Sequence, residues 1–179
     1  MEKEIQIDEH ITMRAANPAN AEEKYNAVIE SREQLLPWLT WVHYYDNADA
    51  SAMREYQSTK ADEFNKGTNY TYDLYYDDIF AGCIELMNIS IKNHKCEIGY
   101  WLRTSMTGKG IMTSAVNKIT ELAFAKINIH RVAILAAVEN APSRAVAERA
   151  GYDYEATLKE DLWLDDGVHS TVIYAKFNS

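Results

Sequence analysis

Cysteine, proline and glycine are all scarce in this chain, and each scarcity excludes a class of protein. The chain has only two cysteines among 179 residues, so it is not a disulfide-rich fold. Cys83 and Cys96 lie in apolar surroundings without CxxC spacing, which favours buried free thiols over a disulfide or a metal site. Three prolines and seven glycines form no linker or low-complexity tract. We therefore expect residues 1–179 to form a single domain.

Long apolar runs and clusters of basic residues are also missing. No segment approaches the roughly 18 to 20 apolar residues of a membrane-spanning helix, and the first ten residues are too charged for a signal peptide. These features predict a cytoplasmic protein that contacts no membrane. The formal net charge of -9, without a Lys/Arg block, argues against direct nucleic-acid binding. The histidines lack metal-ligand spacing, so we expect no bound metal.

The order of apolar and polar residues predicts an α/β fold. Period-two alternation indicates a first strand, a helical region follows, and three further strands form an antiparallel meander. The corresponding ranges are 5–15, 17–66, 70–76, 79–87 and 96–102.

The second half of the chain continues with alternating elements. An amphipathic stripe predicts a helix over 111–127, and the apolar run at 131–138 predicts a strand parallel to the one before that helix. Asn140 is placed to cap the next helix and Gly151 to end it. A "DDG" turn between two strand-like segments predicts a closing β-hairpin.

Gly108 and Gly110 lie between a predicted strand and a predicted helix, and no acidic residue occurs from position 104 to position 120. A helix N-terminus presents unpaired N–H groups and partial positive charge, so this turn suits a phosphate. A tight turn that needs glycine only for steric reasons explains the spacing equally well. The P-loop and the GxGxxG fingerprint are excluded, because glycine follows the lysine and Thr113 stands at the third glycine.

The phrases "EIGYWLRTSMTGKGIMTSA" and "VENAPSRAVAERAGY" resemble the GNAT superfamily of acyl-CoA-dependent N-acetyltransferases. Within it they are similar to the RimJ/RimL branch, which acetylates protein N-termini, including those of ribosomal proteins. The family's [QR]xxGx[GA] loop falls on residues 107–112, where Thr107 and Met112 depart from the pattern and the central glycine is kept. The resemblance spans nearly the whole chain.

This resemblance implies a fold, a cosubstrate and a set of contacts. The fold is a mixed central sheet of about seven strands, with helices on its faces and parallel central strands that splay apart. Acetyl-CoA is expected in the gap between those strands, bound by main-chain groups and a few side chains. The implied binding residues are Leu102, Arg103, Thr104, Thr107, Gly108, Lys109, Gly110, Ile111, Met112, Thr113 and Asn140.

The transfer of an acetyl group to an amine needs a proton acceptor for the amine and a proton donor for the leaving thiolate. The resemblance implies that Ser143 is the donor, although a polar residue in the first turn of a helix needs no catalytic role. Glu97 is the carboxylate best placed to be the base, and Glu85 on the adjacent strand competes with it. Glu97 is equally explained as a structural partner of a neighbour within the sheet, and either carboxylate could act through one water.

Aromatic residues in the helical insertion predict the wall of the acceptor site. Trp38 and His43 are candidates there, and Trp163 is a third near the closing turn. A packing role is favoured for Trp38. The resemblance implies a primary amine as acceptor, foremost a protein N-terminus. A small amine such as an antibiotic or an aminoacyl nucleotide, a non-catalytic acyl-CoA-binding module and a homodimer all remain open.

Overall fold

The computed structural model describes residues 1–178, in which helices cover both faces of one mixed sheet. The strands are β1 (Glu4–Gln6), β2 (Ile11–Ala15), β3 (Tyr70–Tyr76), β4 (Ile79–Ser90), β5 (Lys95–Leu102), β6 (Arg131–Ala137), β7 (Asp153–Leu164) and β8 (Gly167–Phe177). The α-helices are α1 (Ala21–Glu30), α2 (Arg32–Leu35), α3 (Ala50–Lys66), α4 (Ile111–Ile127) and α5 (Ala141–Arg149). Short 3-10 turns cover Pro18–Asn20, Thr40–Asp46 and Thr104–Met106.

The strands lie in the order β1-β2-β3-β4-β5-β6-β8-β7, and among residues 1–178 only the pairing of β5 with β6 is parallel. The predicted meander from β3 to β5, the parallel pair on either side of α4 and the closing hairpin of β7 and β8 are confirmed. The predicted mixed sheet is confirmed as well, with eight strands among the described residues where about seven are expected.

The additional strand comes from the N-terminus, where the prediction of one strand over 5–15 is wrong. β1 and β2 form a hairpin instead, because the Asp8 carboxylate accepts hydrogen bonds from the N–H groups of His10 and Ile11, at 2.8 Å each, and closes a turn. The hairpin brings Ile5 opposite Met13. Both apolar residues thus stay in the core, which is why their alternation reads as one continuous strand.

The sheet presents successive residues of each strand to opposite faces. On one face, α4 and α5 pack over Ile84 and Ile98. On the other, α1 and the first half of α3 pack over Cys83 and Trp101. Between Cys83 and Met87 on β4, and along the facing part of β5, residues with odd numbers therefore face the helices that precede the sheet.

The two central strands separate halfway along their length. Their parallel pairing runs only to Ile98 and Ile134, after which β5 stays with β4 and β6 stays with β8. The predicted splay is thereby confirmed. It opens a gap in the sheet directly before the start of α4.

Candidate active site

The turn before α4 holds two glycines in a conformation that other residues rarely adopt. Gly108 and Gly110 have φ angles of 78° and 77°, and Gly110 directly precedes the helix. A Cβ atom at either position would meet no heavy atom within 4 Å, so the turn faces open space. The backbone here is accessible to a ligand from the side that a larger residue would cover.

Six consecutive N–H groups of this turn, from Gly108 to Thr113, donate to no acceptor within residues 1–178. The N–H of Thr107 is different, because it donates to the carbonyl of Thr104 at 3.2 Å. The N–H groups available to a ligand are therefore those of residues 108–113, one residue later along the chain than the expected 107–112. No acidic residue lies in the first turn of α4, so the positive end of the helix dipole is unopposed there.

Two cationic side chains lie near the turn. Lys109 places its Nζ 4.5 Å from the centre of the Tyr76 ring and does not line the gap. Arg149 at the end of α5 does line the gap, and its Nε donates to Thr113 Oγ1 at 3.4 Å. Sequence reasoning missed Arg149, because 36 residues separate it from Thr113 and no local spacing signals the contact.

The gap itself is a cavity of about 1180 Å³ between β5, β6, α4 and α5. It is long and connects the glycine turn to the start of α5. Most of the residues predicted to bind the cosubstrate line it, namely Leu102, Thr104, Thr107, Gly108, Gly110, Ile111, Met112, Thr113 and Asn140.

The edge of β5 that faces the gap carries main-chain groups of Tyr100 and Leu102. The N–H of Arg103 donates to Ala81, at 2.7 Å, which makes the opposed residues Leu102 and Gly82 a non-hydrogen-bonded pair. The N–H and carbonyl of Leu102, and by alternation those of Tyr100, therefore point away from β4 and into the gap.

The main chain of Arg103 and Thr104 is already engaged, which corrects the expectation that it pairs with a ligand. Their N–H groups donate to the Ala81 carbonyl and to Ser31 Oγ, at 2.7 and 3.0 Å. Their carbonyls accept from the N–H groups three residues later, those of Met106 and Thr107. The chain bends away from the sheet here. Tyr100, which sequence reasoning did not select, presents its main-chain groups to the gap beside Leu102.

Asn140 and Ser143 lie at the start of α5, where the predicted cap is confirmed: the Asn140 side-chain oxygen accepts from the Ser143 N–H at 3.2 Å. Ser143 Oγ donates to the Tyr100 hydroxyl at 3.2 Å, and that hydroxyl donates to the Ser143 carbonyl at 2.9 Å. Burial raises the pKa of Tyr100 to about 12, so its proton stays in place at neutral pH. The two hydroxyls form a small network of exchangeable protons that borders the gap.

A second cavity, of about 670 Å³, lies on the face covered by α1, α3 and the 3-10 turn Thr40–Asp46. Aromatic side chains dominate its wall. They are Trp41, Tyr44, Tyr45, Tyr56, Tyr100 and Trp101. The two cavities share Leu39, Met87, Gly99, Tyr100 and Trp101, so they meet where β5 leaves β6.

The two candidate carboxylates face different cavities. Glu85 lines the aromatic cavity, has a side chain only 14% exposed, and pairs with Lys60 Nζ at 2.8 Å. Lys60 also pairs with Glu63 at 3.0 Å. Glu97 lines the sheet gap and accepts a hydrogen bond from Asn88 Nδ2 at 2.8 Å.

The three side chains predicted for the acceptor wall lie in different places. Trp38 lines the sheet gap and belongs to neither hydrophobic cluster. His43 borders neither cavity. Trp163 is 76% exposed near the tip of the β7–β8 hairpin and also borders neither cavity.

His43 instead joins the helical insertion to the tip of the β7–β8 hairpin. Its Nε2 lies 2.5 Å from Asp165 Oδ2 and its Nδ1 lies 3.0 Å from Asp46 Oδ2. The Asp46 carboxylate also takes two hydrogen bonds from Arg32. The hydrogen bonds that the His43 ring donates to the Asp46 and Asp165 carboxylates, the first having the larger effect, raise the pKa of His43 above 6.5. The bridge therefore contributes stability that is fully present below the unfolded-state pKa, and this stability is lost as pH rises through the folded-state pKa.

Asp165→Asn is expected to lower the pKa of His43 toward 6.5 without reaching it, because Asp46 remains. An NMR titration of the histidine ring measures this shift. The matched control is Asp166→Asn, since Asp166 bonds to His169 at 2.8 Å and not to His43. That variant should lower the pKa of His169 and leave His43 unchanged. An unaltered His43 titration in Asp165→Asn would refute the bridge.

Both cysteines are buried and free, as predicted. Burial raises the pKa of each thiol, Cys83 and Cys96, to about 12, so neither is a thiolate at neutral pH. Neither thiol is therefore suited to act as a nucleophile.

Two further features concern residues 1–178 as a whole. Within that range, no three His, Cys, Asp or Glu side chains come together in a way that would hold a metal ion. No helix in the same range combines the length and the apolar character needed to cross a membrane.

Comparisons with known proteins all find similarity to acetyltransferases. The sequence model of the acetyltransferase (GNAT) domain family matches residues 10–153. The "Putative ribosomal N-acetyltransferase YdaF" of Bacillus subtilis (strain 168) is 34% identical over 172 residues, which cover 94% of this chain and 91% of that protein.

Two solved structures are similar over almost the full length. RimL, a ribosomal L7/L12 α-N-protein acetyltransferase in complex with coenzyme A, has 25% identity and a TM-score of 0.91, and the match covers 97% of each chain. The microcin C7 self-immunity acetyltransferase MccE, in complex with acetyl-CoA and AMP, has 26% identity and a TM-score of 0.92, with 99% of this chain and 98% of that chain covered.

Proposed function

This chain belongs to the GNAT acetyltransferase family and is an acetyl-CoA-dependent N-acetyltransferase, and on that premise we propose that it acetylates the α-amine of a protein N-terminus, such as that of a ribosomal protein. The single observation that carries the proposal is the pair of connected cavities. One is bordered by six unengaged N–H groups in an acid-free turn, and the other is an aromatic cavity with a carboxylate in its wall. Residues 1–179 act as one acetyltransferase domain.

The sheet gap is the site for acetyl-CoA. The N–H groups of Gly108 to Thr113 hold its diphosphate, and Arg149 adds a positive charge beside them. The main-chain groups of Tyr100 and Leu102 pair with the pantetheine arm in the manner of an added strand. The side-chain amide nitrogen of Asn140 is available to the same arm, since only the amide oxygen is engaged by the Ser143 N–H.

Acetyl-CoA supplies a thioester, whose acetyl group passes to the amine nitrogen while the bond to sulfur breaks. The amine must be neutral to attack, and an α-amine titrates near 8, so a proton acceptor is needed at neutral pH. Glu85 has this role, directly or through one water, because it lines the cavity from which the amine arrives.

Ser143 is the proton donor for the leaving sulfur. Its Oγ lies at the cavity wall and donates a hydrogen bond to the Tyr100 hydroxyl, which positions it. After Oγ has protonated the thiolate of CoA, a proton from solvent restores the serine. Direct transfer between the two bound substrates follows, because neither cysteine is a thiolate.

A small amine is the second candidate acceptor. It is supported by the aromatic side chains at the mouth of the acceptor cavity, where Trp41 and Tyr44 are 40% and 64% exposed and could stack on a base. The similarity to MccE, which was solved with acetyl-CoA and AMP, points to the same class.

A thiol-release assay with acetyl-CoA tests the proposed function. Peptides that begin with Ser, Ala or Met are compared with small primary amines and aminoacyl nucleotides. Faster turnover of peptides supports the N-terminal acceptor, whereas turnover of small amines alone supports the second candidate. Binding of acetyl-CoA without thiol release from any amine would indicate a non-catalytic module.

Replacement of the two carboxylates by their amides separates the candidate bases. Glu85→Gln is expected to lower kcat/KM about 100-fold, in the range of general-base effects. Lys60 keeps its ion pair with Glu63 in that variant, so its ammonium group still has a carboxylate partner. Glu97→Gln, the matched control, should change kcat/KM less than about threefold. A larger loss in Glu97→Gln than in Glu85→Gln would reverse the assignment.

A further inference from the structure

Five residues border the place where the two cavities meet, and among them Met87 has the most flexible side chain. Met87 lines both cavities, and so does Gly99 beneath it. Glu85 lines only the acceptor cavity and Glu97 only the sheet gap. Met87 thus stands between the space that receives the amine and the space that receives the thioester.

The register of β4 and β5 explains this position. Met87 is opposite Glu97 and Glu85 is opposite Gly99, so Met87 and Gly99 are diagonal neighbours on one face of the sheet. The Met87 side chain leans across this diagonal. A Cβ atom at position 99 would overlap with Met87 Cε.

Gly99 is therefore explained by space and not by backbone conformation. Its φ lies outside the left-handed region, so other residues could adopt this backbone. Glycine in a strand interior is unfavourable and often marks a close approach. Here the space it leaves is filled by the thioether of Met87.

From this arrangement we propose that Met87 is a specificity-determining residue, which restricts the acceptor to amines with a small substituent on the carbon next to the nitrogen. The inference rests on the proposed function, since it assigns the aromatic cavity to the acceptor. An amine must pass Met87 to reach the thioester end of the gap. Methionine is half-buried here and has three rotatable bonds, so it yields to a narrow amine more readily than to a branched one.

Met87→Ala tests the proposal with amino-acid amides of increasing size, from glycinamide to leucinamide and phenylalaninamide. The ratio of kcat/KM for leucinamide to that for glycinamide is expected to rise about tenfold, which corresponds to roughly 1.4 kcal/mol. Met87→Leu conserves volume and should keep the wild-type ratio. The ratio for butyryl-CoA to acetyl-CoA, measured with glycinamide, should change less than about twofold.

An unchanged amine ratio in folded Met87→Ala would overturn the proposal, and so would a change in acyl selectivity alone. The assay keeps this failure distinct from failure of the proposed function. If the amino-acid amides react and peptides do not, the proposal of a protein acceptor is wrong. The ratio of kcat/KM for leucinamide to that for glycinamide still decides the role of Met87. If none of the amines reacts, both are contradicted.

Discussion

Gly110→Glu is expected to weaken acetyl-CoA binding about 1000-fold, or roughly 4 kcal/mol. The substitution aims a carboxylate into the open space that faces six unengaged N–H groups, where the diphosphate is expected. The new carboxylate competes for these donors and repels the phosphates. Isothermal titration calorimetry measures the loss, and circular dichroism checks that the fold remains.

Two control variants distinguish the effect of the added negative charge on acetyl-CoA binding from the effect of backbone strain. Gly110→Gln has the same shape as the acidic variant without its charge, and Gly110→Ala shares only the left-handed backbone, at a cost of about 1 to 2 kcal/mol. We expect affinity to fall in the order Ala, Gln, Glu. Equal affinities for the Gln and Glu variants would show that electrostatics at this turn does not govern binding.

Ser143→Ala is expected to lower kcat about 300-fold while the dissociation constant of acetyl-CoA changes less than about twofold. Alanine removes the hydroxyl that we propose as the proton donor to the leaving sulfur. It keeps the contacts that fix the start of α5, since Asn140 accepts from the Ser143 main-chain N–H and Tyr100 donates to its carbonyl. A steady-state thiol-release assay and a binding titration together make the measurement.

The control for this variant is Ser58→Ala, because Ser58 is exposed on α3 and borders neither cavity. It should retain wild-type turnover. Ser143→Thr restores a hydroxyl and should recover part of the rate. Undiminished turnover in Ser143→Ala would remove the serine from the mechanism, and a parallel loss of acetyl-CoA binding would make its role structural.

The elements around the cosubstrate site were predictable from local signals. The helical stripe and the glycine before it predict α4 at 111–127, which is where the structure has it. The cap at Asn140 is likewise a short-range pattern of residue types. Such signals depend on neighbours within one turn, so a single sequence carries them.

The parts of the site that were missed depend on contacts between distant residues. Tyr100 reads as an ordinary strand residue, and only the fold brings its hydroxyl to Ser143. Arg149 reaches the phosphate turn from another helix. The engagement of Arg103 follows from the register of β5 with β4, which no local pattern in the sequence specifies.

The aromatic residues predicted to form the wall of the acceptor site were also hard to identify, because their convergence depends on contacts between distant residues. Aromatic composition predicts Trp163 in the acceptor wall, but the β7–β8 hairpin holds this side chain in solvent, outside both cavities. Tyr56 on α3 lies in an ordinary helical pattern that does not signal a site, yet it lines the aromatic cavity. Which aromatic residues converge is decided by the packing of α3 on the sheet, and composition alone does not predict that.

A crystal structure of the complex with acetyl-CoA tests the account most directly. It should show oxygens of the diphosphate about 3 Å from the main-chain nitrogens between Gly108 and Thr113, with the pantetheine arm beside Tyr100 and Leu102. A diphosphate bound elsewhere, with those nitrogens facing only solvent, would contradict it.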